Sequence, residues 1–319
     1  MVAGVAIVGV AAIGAVFVLA NLFGGGTASN ATSSPTMSAG PTGTPSPSIV
    51  ADSPSPTADP GPTGLVAFSS RVDDAFAIVA AAPDGSGLTQ LVGGSGNFYQ
   101  PDWSGDGTRL AYASDDGIWV ADADGGNAVR LSTGELDRKP EFAPDDATIA
   151  YATRDDGDFE IYLIPVGGGD RVRLTDNVAD DYDPSWSAVT DRLAFVSTRD
   201  GTRDVWTMQT NGTDLVRLTG DEGEEEDPAW SPDGRTIAFA STRDGTYLLY
   251  LMNPDGTNIR RLTSGTAVEH DPTWSGDGRY IAFARAGDPT RIVVVEVATG
   301  TELSAIGEPS AAAAWPSWR

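Results

Sequence analysis

From Gly64 to the last residue, apolar side chains fall in short runs, alternating or wholly apolar, each closed by turn residues. In one stretch, Pro228-Ala-Trp230 reads as a short strand, Ser231-Pro-Asp-Gly234 turns the chain, and a second strand centres on Phe239. Thr242-Arg-Asp-Gly245 turns it again, Leu248 to Met252 make a third strand, and Arg260 to Thr263 a fourth after Pro254-Asp-Gly256. The pattern predicts four short antiparallel strands in about 40–45 residues, the sequence form of a propeller blade.

The unit recurs. Its Pro-x-aromatic anchor stands at Pro101-Asp-Trp103, Pro140-Glu-Phe142, Pro184-Ser-Trp186, Pro228-Ala-Trp230, Pro272-Thr-Trp274 and Pro316-Ser-Trp318, at intervals of 39, 44, 44, 44 and 44 residues. An aromatic follows each of the first five anchor prolines by 11 residues: Tyr112, Tyr151, Phe195, Phe239 and Phe283. Phe68, Val79 and Leu91 fit the same register but have no anchor strand before them, and the anchor around Trp318 has no strands after it. The two ends therefore complete one another. The prediction is an all-β, six-bladed β-propeller of four-stranded antiparallel blades, in which residues near 314–319 pair with the strands of 64–92.

Ahead of the repeats the pattern changes twice. Residues 2–23 carry no charge and are long enough to cross a bilayer as one apolar helix, so 1–23 is expected to be a transmembrane anchor, with a cleaved signal peptide as the alternative. Residues 24–63 are Gly, Ser, Thr and Pro with almost no large apolar side chain, as in a disordered linker, which leaves 64–319 for the propeller. This arrangement implies a single-pass cell-membrane protein with its propeller on the extracytoplasmic side, or a secreted or periplasmic one if the helix is cleaved.

Charge narrows the partners. The 45 acidic residues against 20 basic give a net charge of −25, which repels nucleic acid and favours cations or basic proteins. With no cysteine, disulfides, thiolate metal sites and cysteine nucleophiles are excluded.

At PAWSPDGRTIAFASTRDG (228–245) and MNPDGTNIRRLT (252–263) the chain closely resembles the TolB-like propeller repeat, a WD-like unit also found in tricorn-like and dipeptidyl-peptidase-like propellers. The resemblance spans about 64–319 and implies an extracytoplasmic scaffold whose ends bind proteins or peptides. Two departures are plain. Residues 1–63 are too few and too simple for the smaller α/β domain of TolB, and no G-x-S-x-G nucleophile elbow occurs.

Candidate site residues gather where fourth strands run into first strands and second into third, at one end of the expected channel. Asp183, Asp227 and Asp271 precede three anchor prolines and would ring the axis, joined by Glu225, Glu226 and His270 and by Arg199 and Arg243 of the TRDG turns. Gln100 and Lys139 break the ring in two units. A calcium ion would suit such carboxylates, but the reading adopted is structural: each Asp caps its turn or pairs with a TRDG arginine of a neighbouring blade. No cofactor, metal or catalytic set is therefore expected.

The function this supports is a monomeric propeller binding a protein or peptide, with a basic or envelope-polymer ligand at the acidic channel end. Two alternatives stay open: a channel-sited hydrolase or lyase using carboxylates, and the sensory domain of a membrane receptor or kinase.

Overall fold

The computed structural model describes residues 61–155, 157–220, 223–308 and 311–319; the apolar helix and most of the linker expected in 1–63 lie outside them. Among the described residues, 24 strands form six antiparallel four-stranded sheets. Blade five shows the plan: Glu225–Trp230, Ile237–Ser241, Leu248–Met252 and Arg260–Arg261 pair in sequence order. The six strands bearing the anchor motif contact one another around the axis, so each blade runs outward from its anchor.

The aromatic at the second-strand position is the centre of each blade's core. Phe68, Tyr112, Tyr151, Phe195, Phe239 and Phe283 are all at most 2% exposed. Phe239 packs with Trp230 and with Ala194 and Val205 of the preceding blade, while Phe283 packs with Trp274 and Leu249, so the core is made between sheets. Truncating one such aromatic would cost about 3–5 kcal/mol. The anchor tryptophans belong to these same clusters and serve as packing between blades.

In blades two to five the fourth strand is two residues long, shorter than the pattern predicts. Arg260–Arg261 ends before Thr263 because the Thr263 hydroxyl accepts the Leu249 amide at 3.1 Å, taking over a ladder bond. Thr219, Thr175 and Ser132 do the same for Val205, Ile161 and Ile118. The short outer strands leave little unpaired edge.

Closure follows the prediction. Ala313–Trp318 pairs with Val66–Val72, with Val66 opposite Trp318 and Ser70 opposite Ala313. Leu65 and Arg319 exchange backbone hydrogen bonds of 3.1 and 3.0 Å, and the Trp318 indole donates to the Thr63 carbonyl at 2.8 Å. The chain thus joins the propeller from Thr63, one residue inside the expected linker.

Each anchor strand carries a bulge at the same place, marked by a register shift against its neighbour. The residue before the anchor proline takes a left-handed conformation: Gln100, Lys139, Asp183, Asp227, Asp271 and Trp315 have φ between 50° and 56°. Such a conformation disfavours side chains bearing a Cβ by about 1–2 kcal/mol, so six repetitions mark a device. The proline that follows needs no ladder partner. Six side chains, one per blade, are thereby set in a ring around the axis.

Candidate functional site

A cavity of about 780 Å³ occupies the axis above this ring. Its floor is the six bulge residues, its walls are the anchor prolines and the residues after them, and its rim includes Gly105–Gly107, Ser231, Pro232 and Gly276. Those rim residues are turns between first and second strands, so the well opens at the end opposite to the expected one. The Leu65–Arg319 junction lies at the same end, with Arg319 on the lining.

Lys139, the chain's only lysine, crosses the axis from blade three. Its Nζ bonds Asp227 Oδ1 of blade five at 3.0 Å and Asp271 Oδ1 of blade six, directly opposite. Burial works against its charge, but Asp227, Asp271 and Asp183 outweigh it and hold the ammonium well above its usual range. His270, the only histidine, places Nδ1 3.0 Å from Asp227 Oδ2, and its ring lies 4.5 Å from that of Tyr247. Burial opposes the Asp227 charge too, yet Lys139 and His270 keep that carboxyl well below the usual range.

The other ring carboxyls move the opposite way. Burial, then the Asp227 charge, lifts Asp271 to about 7. Burial lifts Asp183 to about 6 despite Lys139, and Glu226 to about 7 with help from Asp227. His270 is raised to about 9 because its bond to Asp227 and the surrounding carboxylates overcome burial.

The ring also ties blades together. The Asp271 amide donates to Asp227 Oδ2 at 3.1 Å and the Lys139 amide to Gln100 Oε1 at 3.0 Å, so one blade's side chain satisfies the next blade's strained backbone. One step up the wall, Asp102 Oδ2 accepts the Phe142 amide and Glu141 Oε1 the Trp186 amide, both at 2.8 Å. Burial raises Asp102 to about 7 and pushes Glu141 well up, the latter aided by Asp102.

Of the residues anticipated for the site, Asp183, Asp227 and Asp271 stand in the floor, and Glu226 and His270 join them through Asp227 without lining the well. Arg199, Arg243 and Glu225 do not. Arg199 bonds Asp181 at 2.8 Å and Arg243 bonds Glu225 at 3.2 Å, each within its own blade, so the pairing expected between TRDG arginines and ring aspartates is replaced by a buried pair further out. The Glu225 side chain is fully buried and touches Ser241 at 2.8 Å. Residues 221 and 222 of the acidic run lie outside the described residues.

Ligand atoms of Glu226, Asp227 and His270 lie within 4.8 Å of one another. Both Asp227 oxygens are already committed, Oδ1 to Lys139 and Oδ2 to His270 and an amide, and Lys139 supplies the neutralising charge. The arrangement is an ion-pair cluster. Lys139, Trp315, Asp102 and Glu141 were not anticipated as site residues. The signal for Lys139 was its position, a lone basic residue in a register that is aspartate in three of the other five blades.

Comparison with known proteins places this geometry. A family model described as the TolB beta propeller domain matches residues 68–226 and 220–318. The crystal structure of TolB from Acinetobacter baumannii superposes with a TM-score of 0.70 at 19% identity, over 80% of this chain and 66% of that one. The structure of a TolB from Agrobacterium tumefaciens, itself described as putative, gives 0.63 at 21% identity, over 81% and 98%. Tricorn protease homolog 1 of Streptomyces coelicolor is 36% identical over 70 residues, which are 22% of this chain and only 7% of that protein. The family match spans nearly all of the six blades, and the chain belongs to the TolB beta propeller domain family.

Proposed function

We propose that the chain is an extracytoplasmic binding scaffold, held at a membrane by residues 1–23, that receives a protein or peptide partner by taking one of its lysine or arginine side chains into the axial well. The observation that carries this reading is the charge of the lining. Six carboxyl groups, Asp102, Asp106, Glu141, Asp183, Asp227 and Asp271, face one ammonium and one guanidinium, Lys139 and Arg319. Proline walls suit a methylene stem while carboxylates receive its charged head. The overall net charge of −25 would steer such a partner inward. The family and the likeness to TolB support a scaffold role, and the uncharged run of residues 2–23 supports the anchor.

Fluorescently labelled pentalysine and pentaglutamate, titrated into the purified protein, test the reading. Saturable pentalysine binding that weakens with added salt and is lost in the double variant D102N/E141Q is expected. No binding, or equal binding of both peptides, refutes it. Alkaline carbonate washing of membranes should leave the protein in the pellet; release into the supernatant contradicts the anchor.

A further inference from the structure

The groups that meet at the floor and behind it are more numerous than a structural clasp requires. From blade three come Lys139 and Arg138, and from blade four Tyr182, Asp183 and Arg203. Blade five brings Glu224, Glu226, Asp227 and Tyr247, and blade six His270 and Asp271. Arg203 bonds Glu226 at 3.2 Å and Glu224 at 2.8 Å, and His270 lies 3.7 Å from Glu226. Arg138 lies over the Phe159 and Tyr182 rings at 3.7 and 4.7 Å. Four cations therefore face five carboxylates when all are ionised, close to balance.

Within this set the carboxyls are not equivalent. Asp227 is fixed from both sides by the only lysine and the only histidine, so it holds Lys139 in place. Asp183 feels the Lys139 and Arg138 charges but shares a hydrogen bond with Asp227, a contact that two ionised carboxylates cannot make. Asp271 has Lys139 on one oxygen and the Asp227 charge nearby. Protons therefore have a defined place to go.

We propose that the floor is a proton-operated release device: proton uptake by Asp183, Asp271 and Glu226 turns the cluster around Lys139 from nearly balanced to cationic, and so expels a cationic ligand from the well. The inference rests on the binding reading above and adds its regulation. The shifts of Asp183 to about 6 and of Asp271 and Glu226 to about 7 place the change between neutral and mildly acidic solution. Asp227, held low, stays ionised throughout and keeps the blades clasped.

Pentalysine affinity for the whole protein, measured at about pH 8 and about pH 5.5, reads the device, since lysine side chains do not titrate between them. Binding at least about tenfold weaker at the lower pH is expected, the effect of one pK unit of coupling. The double variant D183N/D271N should bind weakly at both and lose most of the slope. Equal wild-type affinity at the two pH values, or an undiminished slope in the variant, overturns the device while leaving the binding reading intact. If pentalysine fails to bind at all, carboxyl carbon resonances of the ligand-free protein still decide the matter. Midpoints of Asp183 and Asp271 near about 4, the ordinary carboxyl range, would refute it, and midpoints at about 6 and about 7 uphold the proton uptake.

Discussion

Lys139 and Asp227 stand 88 positions apart in the chain, and their side chains meet at 3.0 Å on the propeller axis. Asp227 also receives His270 at 3.0 Å, so one aspartate holds the only lysine and the only histidine of the protein. Blades three, five and six are joined at one point, which also forms the bottom of the well.

Replacing Lys139 by Met keeps the stem and removes the charge. Asp183, Asp227 and Asp271 are then left without their shared cation, and the folded state should lose about 3–5 kcal/mol in urea denaturation, the cost of breaking a buried pair on one side. Adding D227N should recover part of that loss. A Lys139→Met protein as stable as wild type would show that the ammonium carries no structural load.

Stability should rise as the solution is acidified from about pH 9 to about pH 5. Asp102, Asp271 and Glu226 are raised to about 7 and Asp183 to about 6, so the folded chain binds protons that the unfolded chain has released, and ionising these groups weakens the fold. His270 acts in the same sense: raised to about 9, it contributes fully below about 6.5 and loses its contribution as pH climbs through 9. Asp227, held low, reverses the trend only below about pH 4. Melting temperatures recorded across this range check the sign.

Arg243 separates scaffold from site. Its guanidinium is 3.2 Å from the fully buried Glu225, away from the well lining, so Arg243→Met should cost about 3–5 kcal/mol of stability by stranding that carboxylate. Pentalysine affinity, measured below the melting transition, should not change. A specific loss of affinity in a still-folded variant would return Arg243 to the binding site.

Closure of the ring should depend on the last strand. Removing residues 314–319 takes away the inner strand of blade one, and Trp318→Ala alone should cost about 3–5 kcal/mol because the indole packs with Phe68 and Tyr280. An unaltered melting temperature after trimming would contradict the closure.

The fold was legible because one structural requirement repeats. Five blades carry a buried aromatic 11 residues after the anchor proline, blade one has Phe68 in the same place with its anchor at the other end of the chain, and the spacing survives even where blade two loses residues from its loops. The ring positions were legible for the same reason, since Asp183, Asp227 and Asp271 share a register. Partner choice was not. Arg199 and Arg243 lie in the right turns, but whether each reaches inward to the ring or back to Asp181 and Glu225 depends on side-chain direction, which spacing leaves open. The open end of the well was hidden likewise, because it depends on Lys139 and Trp315 standing together at one level of the axis while the prolines leave space above them.

Carbodiimide coupling of pentalysine to the whole protein, with the joined carboxyls mapped by mass spectrometry, tests the central claim most directly, since it links only groups in contact. The account predicts amide bonds at Asp102, Glu141, Asp183 or Asp271, the carboxyls on the walls and floor of the well. Coupling confined to exposed loop carboxylates such as Glu135 and Asp277 would contradict it.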